Sequence, residues 1–345
     1  MNPLLRLAGI SLGACAALAS LPAASVDKAD APAARRAAVL EELVVTGVQP
    51  GPGLWRVARK EGPGEVWILA SLVPLPRDMQ WQTGQVEEIL ATADEVIAPA
   101  GVEADIGAGD YFKMASLAGA ANAAIKLPGR QRLDDVLPPA QYLRWRELRD
   151  RHLPGEKKLD RQRPLFASQE LFYSAISDAG LTRNDVAWTR VAQMAAERDL
   201  HIVETAVRSP LAINRKAYRA GIRALAESRV DDVGCFVKTM DTLDADLAHF
   251  TRAANAWATG DMTLLLPMEL ATPTPPCKPV HDRAMSFQQQ PQLRLQSLAL
   301  WRTAVESALA DKRIALAVLP LPDLVAPGGL LDQLRAAGFD VDAPE

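Results

Sequence analysis

The sequence is poor in the side chains that most often bind metals or act as nucleophiles. Three cysteines and four histidines are spread over 345 residues. The histidines are His152, His201, His249 and His281, and no two have the spacing of a helical metal-binding pair. No serine stands in a nucleophile elbow, the strand-to-helix turn which that chemistry needs. No basic block is present and the net charge is −4, which argues against a nucleic-acid partner. Apolar residues make up 49% of the chain, which excludes wholesale disorder. The length suits one large domain or two medium ones. No apolar run after the first 25 residues approaches a membrane span.

The N-terminus has its own pattern. Arg6 is the only early charge, and no charge falls between Leu7 and Ser25. A basic start, a short apolar core and small residues at the exit describe an export signal over residues 1–25. Gly9, Gly13 and Pro22 interrupt the core, so an anchored helix is the weaker reading. Ala23-Ala24-Ser25 suits an ordinary signal peptidase. Leu12-Gly13-Ala14-Cys15 loosely resembles a lipoprotein box, which would tether the protein to a membrane through Cys15. The first scheme is favoured and places the protein in the periplasm or outside the cell. Residues 26–50 are expected to form a disordered leader, with Leu43-Val44-Val45-Thr46 as a possible first strand. Residues 51–345 form a single domain in this reading. With Cys15 set aside, Cys235 and Cys277 remain, and an oxidising destination favours a disulfide over two free thiols.

The domain reads as α/β (α+β), with a central mixed sheet made by N- and C-terminal strands around a helical middle of about residues 110–310. Leu54-Trp55-Arg56-Val57-Ala58 and Val66-Trp67-Ile68-Leu69-Ala70 flank Gly62-Pro63-Gly64 and predict a β-hairpin. Val86, Ile89, Leu90, Ala93 and Val96 follow helical spacing, with Thr83 as a possible N-cap. Residues 200–203 read as a buried strand. Phe236, Met240, Leu243, Leu247, Phe250, Ala254 and Trp257 alternate in steps of four and three, a heptad seam on one long helix near 229–259 that ends at Gly260. Packing within a helical layer is the favoured use, and oligomerisation through this helix the alternative. A disulfide would tie the Pro-rich loop before Cys277 back to that helix. A further helix after Pro291, a strand over 314–319, a short helix from Leu330 closed by Gly338, and a strand over 339–341 complete the chain. Residues 68–76 (ILASLVPLP) and 315–324 (ALAVLPLPDL) echo each other as strands that run into Pro-Leu-Pro.

In this order the segments resemble the TraB/GumN family, which includes the Tiki-type metalloproteases. The resemblance spans roughly residues 54–341. It is carried by Leu54-Trp55-Arg56-Val57, by VWILASLVPLPRDMQW at 66–81, by Leu133-Asp134-Asp135-Val136-Leu137 and Arg163-Pro164, by Ile202-Val203-Glu204-Thr205, by Ala256-Trp257 with Gly260-Asp261, and by Gly329-Leu330-Leu331 onward. The resemblance implies metal-dependent hydrolysis, but the residues depart from it. The first Gly-x-x-His motif falls on Ala70-Ser71-Leu72-Val73, so Val73 replaces the histidine. Where a glutamate follows the next strand, Val96-Ile97-Ala98-Pro99 has no carboxylate. The second Gly-x-x-His motif falls on Leu319-Pro320-Leu321-Pro322, with Asp323 next. Among matched positions only Glu204 keeps a candidate ligand, and one carboxylate does not hold a catalytic metal.

The expectation is therefore a degenerate family member with no cofactor and a remnant cleft for a peptide or small ligand. One alternative is a hydrolase rebuilt around Glu204, Asp323 and His201, which would need a divalent metal. Another is a structural or accessory envelope protein. Arg77 and Asp78 either line the old cleft or form a surface turn. Asp241, Asp244 and Asp246 read as an exposed acidic face of the long helix. Gly328-Gly329 reads as a turn before an anion cradle.

Overall fold

The structure, a computed structural model, describes residues 51–105, 107–210, 215–227, 232–270, 276–284 and 291–344. The expected export signal, Cys15, the leader and the strand at Leu43 lie outside the described residues.

The hairpin forms as its turn residues dictate. Strand β1 (Leu54–Ala58) pairs antiparallel with β2 (Glu65–Ser71). A two-residue strand β3 (Leu75–Pro76) follows, then helix Gly84–Thr92 and β4 (Glu95–Ile97). Val96 belongs to this strand and not to the helix, because the helix stops at Thr92 and Ala93 is already extended. Helical and strand spacing coincide at that one position. Thr83 occupies the N-cap position without capping the backbone, and its hydroxyl donates to Glu87 at 2.6 Å.

The remaining strands are β5 (Val102–Asp105), β6 (Leu181–Thr182), β7 (His201–Val203), β8 (Val207–Pro210), β9 (Ile314–Pro320) and β10 (Asp340–Asp342). The central sheet has six strands in the order β10-β1-β2-β9-β4-β7. β2, β9, β4 and β7 run parallel. The sheet is thus mixed and joins both ends of the described chain. The echoed segments are its two central strands, paired so that Ala70 faces Leu319 and Ser71 faces Pro320. Five consecutive residues of β9, Ala315 to Leu319, are buried. A parallel strand buried on both faces needs a continuous apolar run, which explains why this segment has no alternation.

The long helix spans Val233–Ala258. Its seam is buried within the chain, except that Leu247 is only partly so. Phe236, Met240, Leu243 and Phe250 join a helical core with Trp145, Leu148 and Leu171. Ala254 and Trp257 enter the core around the sheet. One helix therefore bridges two cores, and burying each large side chain contributes roughly 1.5–3 kcal/mol. Asp246 departs from the exposed face expected of it. It is buried and accepts from the Thr242 hydroxyl at 2.9 Å, while Asp241 and Asp244 are exposed. Gly260 ends the helix with φ +68°, and a Cβ there would meet the Gly51 carbonyl at 2.6 Å. Cys235 and Cys277 form a disulfide across 42 residues.

Asp160 anchors the helical core. It accepts from Arg149 at 2.8 Å, from the Trp145 indole at 2.7 Å and from Arg132 at 2.9 Å. Both Arg149 and Asp160 are buried. No helix among the described residues is long and apolar enough to cross a membrane.

Candidate functional site

Parallel strands deliver their carboxyl ends to one edge of a sheet, and α/β proteins bind ligands there. Here that edge collects Ser71, the turn after β4, the turn after β7 and the start of helix Leu321–Val325. The remnant-motif positions and the candidates Glu204 and Asp323 lie along it, and His201 does not.

Ala70 is buried, and its carbonyl accepts from the Trp257 indole at 2.7 Å. Val73, past the end of β2, is exposed. The Ser71 hydroxyl is buried and completes no hydrogen bond of normal geometry, yet it lies close enough to Asp185 to favour its ionised form. Asp185 caps helix Val186–Ala196, accepting from the Trp188 amide at 2.8 Å. Burial pushes its carboxyl above the usual value, and the nearby Ser71 hydroxyl and the helix amides only partly offset this.

Pro99 interrupts the ladder after β4 because proline has no N–H to donate. The pairing resumes as β5 against β8. The break is held by the Thr205 hydroxyl, which donates to the Ala98 carbonyl at 2.9 Å. Glu204 lies in the same break and is exposed.

Pro322 sits in the first turn of helix Leu321–Val325, where its missing N–H costs no intrahelical bond. Asp323 next to it is partly buried and bonded to Arg294. Burial pushes its carboxyl up, and Arg294 pulls it only part of the way back. The other arm of Arg294 donates to the Ala100 carbonyl at 2.8 Å. A guanidinium thus clasps the turn after β4 to the helix after β9.

His201 starts β7, opposite Glu95 in register, and so lies at the amino edge of the sheet. The structure does not bring it together with Glu204 and Asp323. His152 contacts Asp178 at 2.9 Å and His281 packs against Phe166, both away from the sheet edge. The Gly328 and Gly329 amides donate to Asp332 and Ala326, so this pair is a turn. Arg77, directly after β3, lines a cavity, whereas Asp78 is exposed outside its lining.

A family model for TraB/PrgY/gumN proteins matches residues 53–343. The chain belongs to the TraB/PrgY/gumN family. Comparison with curated proteins and with solved structures gives no match. The resemblance to this family implies a divalent metal, and the residues at the sheet edge do not fit one. Val73, Pro99 and Pro322 offer no side-chain ligand, and Asp323 is already paired with a cation. Among the described residues no group of three His, Cys, Asp or Glu side chains converges to hold a metal.

Three residues of this edge escape a reading of the sequence. Asp185 carries a weak signal, an acid just before an apolar-periodic helix. Arg294 and Trp257 carry none for these roles, since their partners lie 29 and 187 residues away.

Proposed function

We propose that this is an exported, catalytically degenerate member of the TraB/PrgY/gumN family that binds a peptide or small ligand and does not hydrolyse it. The observation that carries the reading is the Arg294 clasp. Asp323, the carboxylate next to the second motif position, is bonded to a guanidinium, and a fixed cation there disfavours a second one. Glu204 is then left as a lone exposed carboxylate. The Cys235–Cys277 disulfide supports export to an oxidising compartment.

Calorimetric titration of the mature protein with zinc, manganese and cobalt tests the reading. No stoichiometric binding is expected, and a tight one-to-one site would sink it. Mass spectrometry of the mature N-terminus should find a free Val26. A lipidated Cys15 would replace the free form with a tethered one.

A further inference from the structure

The cavity lined by Arg77 has a volume of about 590 Å³, within the range of small-molecule sites. It lies between the segment after β3 and helix Val186–Ala196. Thr189, Arg190 and Gln193 project into it from one face of that helix, at positions three and four residues apart. Arg77 and Trp81 line the other side. Two arginines therefore line the cavity, and among the described residues no Asp or Glu does.

The two arginines differ in what holds them. Arg77 is oriented by Ser177, donating to its hydroxyl at 3.2 Å and its carbonyl at 3.4 Å. Arg190 is half-buried and makes no hydrogen bond or ion pair among the described residues. A guanidinium at a cavity with no protein partner leaves its donors to water or to an anionic ligand. Trp81 is half-buried and rests edge-on against Trp257, with ring centroids 5.5 Å apart. Its indole N–H has no protein acceptor among the described residues. The lining thus pairs positive forks with an aromatic surface.

We infer that this cavity binds a carboxylate attached to an apolar body, with Arg190 and Arg77 on the carboxylate and Trp81 against the apolar part. Guanidinium suits this task because its planar fork matches both carboxylate oxygens at once. The carboxylate is either that of a small organic acid or the C-terminus of a peptide, and both present the same group. The inference rests on the proposal that the chain binds a ligand without hydrolysing it, and it names the ligand's chemistry.

The test is calorimetric titration of the mature protein with N-acetylphenylalanine and with the tripeptide Ala-Ala-Phe, each as the free acid and as the C-terminal amide. At least one free acid should bind with one-to-one stoichiometry, and its amide should bind at least about tenfold more weakly, as expected for loss of a charge-assisted bond. Whichever acid binds more tightly identifies the source of the carboxylate. Arg190→Gln should weaken the acid by about tenfold or more, and Arg190→Lys should recover only part of that. Circular dichroism unchanged from the parent confirms that the variants fold. Failure of both acids to bind, equal binding of acid and amide, or parent-like binding by Arg190→Gln overturns the inference. A tight metal site alongside intact acid binding refutes the degenerate reading and leaves this one standing. Loss of the acid preference in a protein without a metal site does the reverse.

Discussion

Replacing Arg294 with methionine tests the clasp directly, because methionine keeps the length of the side chain and removes its charge. Two interactions are lost. One is the charged hydrogen bond to the Ala100 carbonyl at 2.8 Å, a type that contributes about 1.5–3 kcal/mol when enclosed. The other is the ion pair with Asp323. The Arg294 side chain is 38% exposed, so water screens the pair and a contribution of roughly 0.2–1 kcal/mol applies. The same exposure moves the carbonyl bond toward its lower bound, for a total of about 1.7–2.5 kcal/mol. Urea unfolding at constant m measures this. A double-mutant cycle with Asp323→Asn isolates the pair. The pH dependence has a definite sign. The folded-state pKa of Asp323 lies above its ordinary value, so the folded protein binds more protons than the unfolded chain in the window between the two. Stability therefore falls as pH rises through that window. Without Arg294 the carboxyl rises further and the window widens. The variant should lose more stability at pH 7 than at pH 4. Equal losses at the two pH values, or a coupling indistinguishable from zero, would refute the clasp.

Three further outcomes are expected. Asp160→Asn removes the buried partner of Arg149 and leaves it only the exposed Asp150, so it should cost toward the low end of about 3–5 kcal/mol in chemical denaturation; a loss below about 1 kcal/mol would mean that water reaches the site. Asp185→Asn keeps a good N-cap while removing a carboxyl whose folded-state pKa is raised by burial. The variant should gain melting temperature over the parent at pH 7, and the gap should close toward pH 4; a gap that widens on acidification would contradict the sign. Replacing both Cys235 and Cys277 with serine opens a loop of 42 residues and should cost about 2–4 kcal/mol, a change read equally well by adding reductant to the parent protein.

Much of the fold is legible in the sequence for local reasons. Gly62-Pro63-Gly64 between two β-rich runs specifies a hairpin. The seam from Phe236 to Trp257 specifies a long helix with one buried face. The unbroken apolar run from Ala315 to Leu319 specifies a strand covered on both sides. Where local signals overlap they mislead, as at Val96, whose position satisfies a helical period that had already ended. Asp246 departs from the exposed face that its spacing predicts for a related reason. Spacing orders the acids around a helix, but the neighbouring packing determines how far around the helix burial extends.

The candidate site divides along the same line. By itself the sequence determined that the side chains of Val73, Pro99 and Pro322 offer no metal ligand in any fold. It also determined the cysteine pair that the structure joins. Only the tertiary structure decided what stands beside those positions. It set His201 at the far edge of the sheet, because strand direction separates the two ends of β7. It brought Arg294 onto Asp323 and left Arg190 facing a cavity without a counter-charge. Those relations depend on strand order and helix placement, which arise from the burial of distant apolar segments against one another and leave no trace in local spacing.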